Sequence, residues 1–424
     1  MIIRDILNKN KSGVAIGLPS FCTSNMFVID AALDYVLQKD VPIVIEATCN
    51  QINQFGGYTG LLPKDFSKKV RSKAAEKGIE HSKLILGGDH LGPNPWRHLS
   101  ADKAMENAQV MVKDYVQAGF TKIHLDTSMA CKGENTPSFE EVARRSAELC
   151  MVAEQYAPDL DSICYVIGTE VPIPGGETET MGTLQITSPD RLDRTIETHI
   201  QAFKEKNLQA ALSRIVSVVV QPGVDFSHTA VTQYSKSSAK KLVDQLSKYK
   251  DIAFEAHSTD YQQNTGLADL VADHHLFLKV GPELTFALRE ALFLLAKIED
   301  ELFKDKASNL IQVVFNTMEN NPKDWINYYH GSKDEQQFLR HYSYSDRIRY
   351  YWDHPDVNSA INKMIENLDN VDIPEFVISQ FFGIATNAQN NETAHSLIKS
   401  RIQYVVDRYY NACRLDRWRG NADI

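Results

Sequence analysis

Three short segments place imidazoles and carboxylates close together: GGDHLGPN with Asp89 and His90, VIGTEVPIPGGE with Glu170, and FEAHSTDY with His257 and Asp260. Two imidazoles and a carboxylate are a donor set for a catalytic Zn²⁺ that keeps one position open, and the same set suits Mn²⁺, Co²⁺ or Ni²⁺. His90, His257 and Glu170 are therefore the candidate metal ligands, and Gln221 in VVVQPGV is a weaker, neutral fourth group. Asp89 is the candidate for proton transfer, with Glu170 a second catalytic carboxylate. Asp126 in HLDTSM is suited to orient a ligand histidine as its hydrogen-bond acceptor. Ligands spread this widely say less than a compact HExxH pair. Their force depends on each one sitting at the same place in a repeated fold.

Further polar residues cluster around these segments. Glu46, Asn50, Gln51, Asn53 and Gln54 in IEATCNQINQFGGYTG offer amide and carboxylate groups at a density suited to a polyhydroxylated ligand. Ser258, Thr259 and Asp260, with Lys279, Gly281 and Pro282, occupy a region where barrels often hold phosphate. Lys279 is also a candidate Schiff-base nucleophile, ranked below the metal reading because the His/Glu set already offers an electrophile. His124 reads as a packed core residue. Arg347 and Arg349 in YSYSDRIRYYW either bind phosphate or pair with carboxylates such as Asp346, and pairing is the preferred reading. Cys22 and Cys49 lack an evident activating base.

The elements that position these groups are legible from hydrophobic pattern. Eight short, β-branched apolar runs start at Val14, Pro42, Leu84, Lys122, Ile163, Arg214, Ile252 and His275, separated by stretches of helical periodicity. In SADKAMENAQVMVKDYVQAGF, Ala104, Ala108, Met111, Val112, Tyr115 and Val116 share one helical face. Near-continuous apolar strands point to a parallel sheet covered on both faces. Eight βα units predict a closed (β/α)8 barrel, with a doubly wound open sheet as the rival. The barrel is preferred because six runs turn polar at their C-terminal ends, and in a barrel those ends share one mouth. The predicted barrel spans 1–304, and an aromatic- and amide-rich helical extension over 305–424 packs on it.

Composition narrows the partners. The 424 residues carry 45 Lys and Arg against 55 Asp and Glu, a formal net charge of −10 without long basic runs, so nucleic acid is not an expected partner. No apolar stretch approaches the ~20 residues a membrane helix needs. MIIRDILNKNKSG lacks a secretory core, so a cytoplasmic location is expected. Six cysteines without a CxxC pair favour reduced thiols over a disulfide framework or thiolate zinc.

The blocks IEATCNQINQFGGYTG, GGDHLGPNPW, IHLDTSMAC, YVIGTEVPIPGGE, VVQPGVDF, EAHSTDYQ, LKVGPELTFALREA and YSYSDRIRYYW together resemble the Z-subunit family of tagatose-1,6-bisphosphate aldolase. The resemblance runs through nearly the whole chain. It implies a (β/α)8 barrel related to class II, metal-dependent aldolases, with a ketohexose phosphate as substrate. Asp89 and His90 look like the Asp–His pair that ends the third strand there, for proton transfer and metal binding, and His257 resembles a second ligand. Gln221 departs from the pattern, because those aldolases usually carry a ligand His at the sixth strand. The resemblance leaves three roles open: aldol cleavage, 4-epimerisation, or support of a Y-type catalytic subunit. Homo-oligomers are compatible with each.

Overall fold

The computed structural model describes residues 2–168, 184–383 and 393–418. Eight parallel strands close into a barrel in chain order: β1 Leu18–Cys22, β2 Ile43–Thr48, β3 Leu84–Leu91, β4 Lys122–Leu125, β5 Cys164–Ile167, β6 Ile215–Val220, β7 Ala253–Ala256 and β8 His275–Val280. Every apolar run expected from the sequence contributes one strand, and β1 closes on β8 through Leu18 opposite Phe277. The open-sheet rival is excluded. Strands β3 to β8 are buried along their whole length. That is why their sequences run apolar instead of alternating.

Between strands the chain returns through helices, among them Met26–Lys39, Pro63–Glu76, Ala101–Gln117, Phe139–Tyr156, Pro189–Glu205, Lys236–Gln245 and Asn264–Ala272. Several starts are set by side-chain caps, with Asn25, Ser138 and Ser188 accepting from backbone amides of the first turn. Helix Ile2–Lys11 lies against β6, β7 and β8 and buries Ile3, Ile6 and Leu7. After β6 a short antiparallel pair, Asp225–Phe226 with Val231–Thr232, lies outside the barrel sheet.

Beyond helix Pro282–Phe303 the chain continues as Leu310–Asn320, Lys333–Tyr342, Pro355–Asp369, Glu375–Phe382 and Ala394–Cys413. The last of these joins the outer helix layer. It packs on β1 and against helices Met26–Lys39, Asn264–Ala272 and Pro282–Phe303. Gly17 N donates to Cys413 O at 3.0 Å, and the Tyr410 hydroxyl donates to Pro42 O at 2.9 Å. No helix among the described residues is long and apolar enough to cross a membrane.

Lys399 on this last helix reaches Asp30 at 2.8 Å and Asp34 at 2.7 Å on helix Met26–Lys39. Burial alone would raise the Asp30 carboxyl, but hydrogen bonds from Lys399, Lys73 and Lys77 hold it well below the usual carboxylate range. Its contribution to stability is therefore complete above the unfolded-state value of about 4 and lost as pH falls through the lower folded value. Lys399→Met is expected to cost about 1 kcal/mol at pH 7, with the difference from wild type shrinking below about pH 3 in urea titrations.

Candidate active site

The strand register sets the site from below. Glu46 on β2 is level with Gly87 on β3, and Gly87 is level with Lys122 on β4. Gly87 leaves the space between them open, since a Cβ there would lie 2.7 Å from Glu46 Cγ. Through that space Lys122 Nζ reaches Glu46 Oε1 at 2.6 Å, and it reaches Glu255 Oε2 of β7 at 2.7 Å. All three side chains are fully buried. Glu46 Oε2 accepts from Lys279 of β8, whose Nζ also lies 2.9 Å from Asp89 Oδ2. Burial pulls the Lys279 ammonium down to about 8, which leaves it the charged partner of two carboxylates at neutral pH.

Above this chain of charges stand three imidazoles, His90, His124 and His257, with ring centroids 4.9 to 5.3 Å apart. His90 Nδ1 is 2.7 Å from Asp126 Oδ2, and His257 Nε2 is 2.9 Å from Glu255 Oε1. His124 Nδ1 is 2.9 Å from Asp89 Oδ1. Each histidine is thus held by a carboxylate. Asp89, His124, Glu255 and His257 bring ligand atoms within 4.8 Å of one another, a buried group of a kind that could hold a metal ion.

Electrostatics divide the imidazoles. Burial disfavours the charged form of both His90 and His257. At His90 the Asp89 charge and the Asp126 hydrogen bond overrule it and raise the ring to about 9, while at His257 burial prevails and the ring stays neutral more readily. Asp89 is held below the carboxylate range despite burial, chiefly by His90 and His124, and Asp126 falls to about 2 through His90.

A cavity of about 440 Å³ opens over this cluster. Asp89, His90, His257 and Lys279 form its floor, and Asn50, Gln51 and Ser258 border it. His90 and Ser258 turn into it from left-handed backbone, with φ of 50° and 51°. The loop after β3 can pass this close to β4 because residue 92 is Gly: a Cβ there would meet Asp126 O at 1.7 Å.

Other expected residues are engaged elsewhere. Gln221 Oε1 accepts from Gly223 N at 2.8 Å and Val224 N at 3.0 Å, so it shapes the loop after β6 and stands outside the four-residue group. Gln54 donates to Asn107 O at 2.9 Å, and Asn53 bonds Cys49 O and the amides of its own loop. Thr259 donates to Lys279 O at 2.6 Å. Asp260 lines the cavity while accepting from Gly281 N and Glu283 N, and Glu46 belongs to the charge chain below the floor. Glu170 lies outside the described residues. His124, read from sequence as a core residue, is fully buried yet holds Asp89. Glu255 and Lys122 went unmarked because they sit inside apolar strands. A charge embedded in a run bound for burial is the signal that could have found them. The Cys22 thiol borders the cavity 3.5 Å from Asp89 Oδ2, and burial pushes it up, away from the nucleophilic thiolate. All six cysteines are free.

Fold and site together define a (β/α)8-barrel protein with a histidine–carboxylate centre at the C-terminal mouth, the face where barrel enzymes carry their active sites. Within that class the chain belongs to the GatZ/KbaZ-like family of D-tagatose-1,6-bisphosphate aldolase subunits, whose pattern matches residues 3–414. The D-tagatose-1,6-bisphosphate aldolase subunit GatZ of Salmonella heidelberg (strain SL476) is 44% identical over 422 residues, spanning 98% of this chain and 100% of its own. The subunit of the same name from Salmonella typhimurium (strain LT2) aligns to the same extent at 44% identity. A crystal structure described as a probable tagatose 6 phosphate kinase from Sinorhizobium meliloti 1021 shares 44% identity and a TM-score of 0.87, covering 94% of this chain and 100% of that one. The family expected from the sequence is the family found.

The charge chain makes a direct prediction. Lys122→Met removes the cation between Glu46 and Glu255 and leaves two buried carboxylates short of a partner. Stability should fall by roughly 3–5 kcal/mol in equilibrium urea unfolding, whereas a paired Lys122→Met/Glu255→Leu change should cost less than the single one.

Proposed function

We propose that this chain is a Z-type subunit of a tagatose-bisphosphate aldolase system that carries its own divalent-cation centre and breaks the bond between carbons 3 and 4 of a ketohexose phosphate. The observation that carries the reading is the pair of cavity-facing imidazoles, His90 and His257, each held through one ring nitrogen by a buried carboxylate. Carboxylate–histidine pairs of this kind fix the ring and raise the basicity of its other nitrogen toward a cation. Imidazole and carboxylate donors fit Zn²⁺ first, and Mn²⁺, Co²⁺ or Ni²⁺ next. His90 and His257 would hold the ion, with Asp126 and Glu255 orienting them, and Glu170 remains a proposed ligand and catalytic carboxylate from the sequence pattern.

A bound divalent cation supplies Lewis acidity toward the substrate carbonyl and the negative charge that builds there on cleavage. The protein's own groups do the rest. Asp89 faces the cavity with both oxygens positioned, one by His124 and one by Lys279, and it takes the proton from the carbon 4 hydroxyl. Asn50, Gln51 and Ser258 meet the sugar hydroxyls at the cavity border. If the aldehyde fragment turns over before the bond reforms, the same groups invert carbon 4. Cleavage and 4-epimerisation therefore need one machinery and differ only in whether the fragments leave.

One observation favours a second reading, a non-catalytic subunit that stabilises a Y-type aldolase subunit. Gln221, where class II aldolases usually carry a ligand histidine, spends its side chain on its own loop.

Metal analysis of the purified chain tests the centre. His90→Ala and His257→Ala should each abolish stoichiometric metal with the fold retained by circular dichroism, while Asp126→Asn and Glu255→Gln should weaken metal affinity about 10–100-fold. Undiminished metal in both alanine variants would overturn the ligand assignment. Metal lost in His124→Ala and His257→Ala but kept in His90→Ala would move the ion into the Asp89–His124–Glu255–His257 group.

Product analysis with tagatose and fructose 6-phosphates and 1,6-bisphosphates tests the chemistry. Triose release marks an aldolase, and epimer exchange without triose marks a 4-epimerase. No turnover, together with a longer half-life of an added Y-type subunit, marks the supporting role.

A further inference from the structure

A sugar phosphate needs a seat for its phosphate, and the place where barrels commonly provide one is filled here by the protein's own carboxylates. That place is formed by the loops after the seventh and eighth strands and a helix N-terminus. In this chain the amides of Gly281 and Glu283 at the start of helix Pro282–Phe303 donate to Asp260 Oδ1 at 3.0 and 2.8 Å. Glu283 stands beside it, accepting from Tyr261 N at 2.7 Å. Glu283 is also paired with Arg408, and with both amides spent on Asp260 the helix start does not offer them to an anion.

Another part of the cavity lining is rich in cations. It comes from the chain beyond the barrel helices and includes Lys323, Tyr328, Arg347, Arg349 and Tyr350, with Asp324 and Asp353 also at its border. Three guanidinium groups, of Arg289, Arg347 and Arg349, act on one fully buried carboxylate, Asp346. Arg289 Nη1 approaches Asp346 Oδ1 at 3.4 Å, and that oxygen also accepts from Ile348 N at 3.1 Å. Arg349 donates to Asp346 O at 3.2 Å and to the Tyr350 hydroxyl at 3.0 Å. Arg347 Nε donates to Asp324 O, and its guanidinium lies over the Tyr328 ring, 3.4 Å from its centroid, and 4.8 Å from that of Tyr350. Tyr58, from the FGGYTG loop, closes on Tyr350 edge-on at 4.8 Å. Stacked, planar guanidinium groups are pre-organised for bidentate contact with a phosphate or similar oxyanion.

We infer that Arg347 and Arg349, assisted by Lys323, form the phosphate subsite of this cavity, so that the chain beyond the barrel supplies substrate recognition while the barrel floor supplies the chemistry. The identity of the sugar rests on the proposed function; the anion subsite does not. A phosphate held on this wall leaves the remainder of a ketose to extend across the cavity toward Asp89, His90 and His257.

The test is calorimetric titration of the metal-stripped full chain with inorganic phosphate, with fructose 6-phosphate and with unphosphorylated fructose. Arg349→Gln should weaken phosphate and fructose 6-phosphate on the order of tenfold, the loss of one charge-assisted contact, with Arg349→Lys recovering part of it. Because the protein titrated is metal-stripped, failure of the subsite is read separately from failure of the metal centre. As a readout that needs no variant, phosphate should shield Arg347 and Arg349 of the wild type from phenylglyoxal, scored by peptide mass spectrometry. Wild-type phosphate affinity in a folded Arg349→Gln protein, absence of phosphate binding by the wild type, or unshielded Arg347 and Arg349 at saturating phosphate would each overturn the assignment.

Discussion

The run of alternating buried charges through the barrel is the constraint on which the site depends. His257 rests on Glu255, Glu255 on Lys122, Lys122 on Glu46, Glu46 on Lys279, Lys279 on Asp89, and Asp89 on His124. Removing charges from water costs several kcal/mol per ion, and the cost is offset only when each has a close partner of opposite sign. No member can turn away without stranding its neighbour. The chain therefore positions His257 and Asp89 at the cavity floor and holds His124 against Asp89.

This arrangement dictates details that look unrelated. Gly87 is glycine because the Glu46 side chain occupies the space its Cβ would take, and Gly92 because the β3 loop lies against the backbone carbonyl of Asp126. His90 and Ser258 adopt left-handed backbone at a cost of roughly 1 kcal/mol each. Strain of this kind persists only where surrounding contacts enforce it, and it clusters at functional positions. Asp126 does so for His90: its hydrogen bond to the ring ties the strained residue to β4.

The chain beyond the eighth barrel helix is tied into both ends of this design. Helix Ala394–Cys413 packs on β1, and the Tyr409 hydroxyl donates to Thr259 O at 2.8 Å, next to the site loop. Residues 323–353 meanwhile wall the cavity. The small hairpin after β6 docks onto that wall, with Tyr344 N donating to His228 O at 3.0 Å and His228 Nε2 2.9 Å from Tyr328 O. Gln221, by bracing the loop that leads to this hairpin, has a structural task that explains an amide at the end of β6.

The sequence by itself determined the barrel, because a parallel strand buried on both faces must be apolar along its length and turn polar where it leaves the core. Those polar ends are local signals, and they mark Asp89, His90, Asp126, His257 and Lys279 as neighbours. What only the tertiary structure decided was which groups touch. Glu255 and Lys122 lie within apolar strands, and their purpose appears only when β2, β4 and β7 face one another across the barrel interior. His124 differs from a packed core histidine only through the Asp89 that β3 brings to it. Likewise the sequence leaves Arg347 and Arg349 between binding phosphate and pairing with Asp346, and only the fold shows both lining the cavity. Pattern along a chain reports burial, since each residue carries its own hydrophobicity; the pairing of charges depends on contacts between residues far apart in sequence.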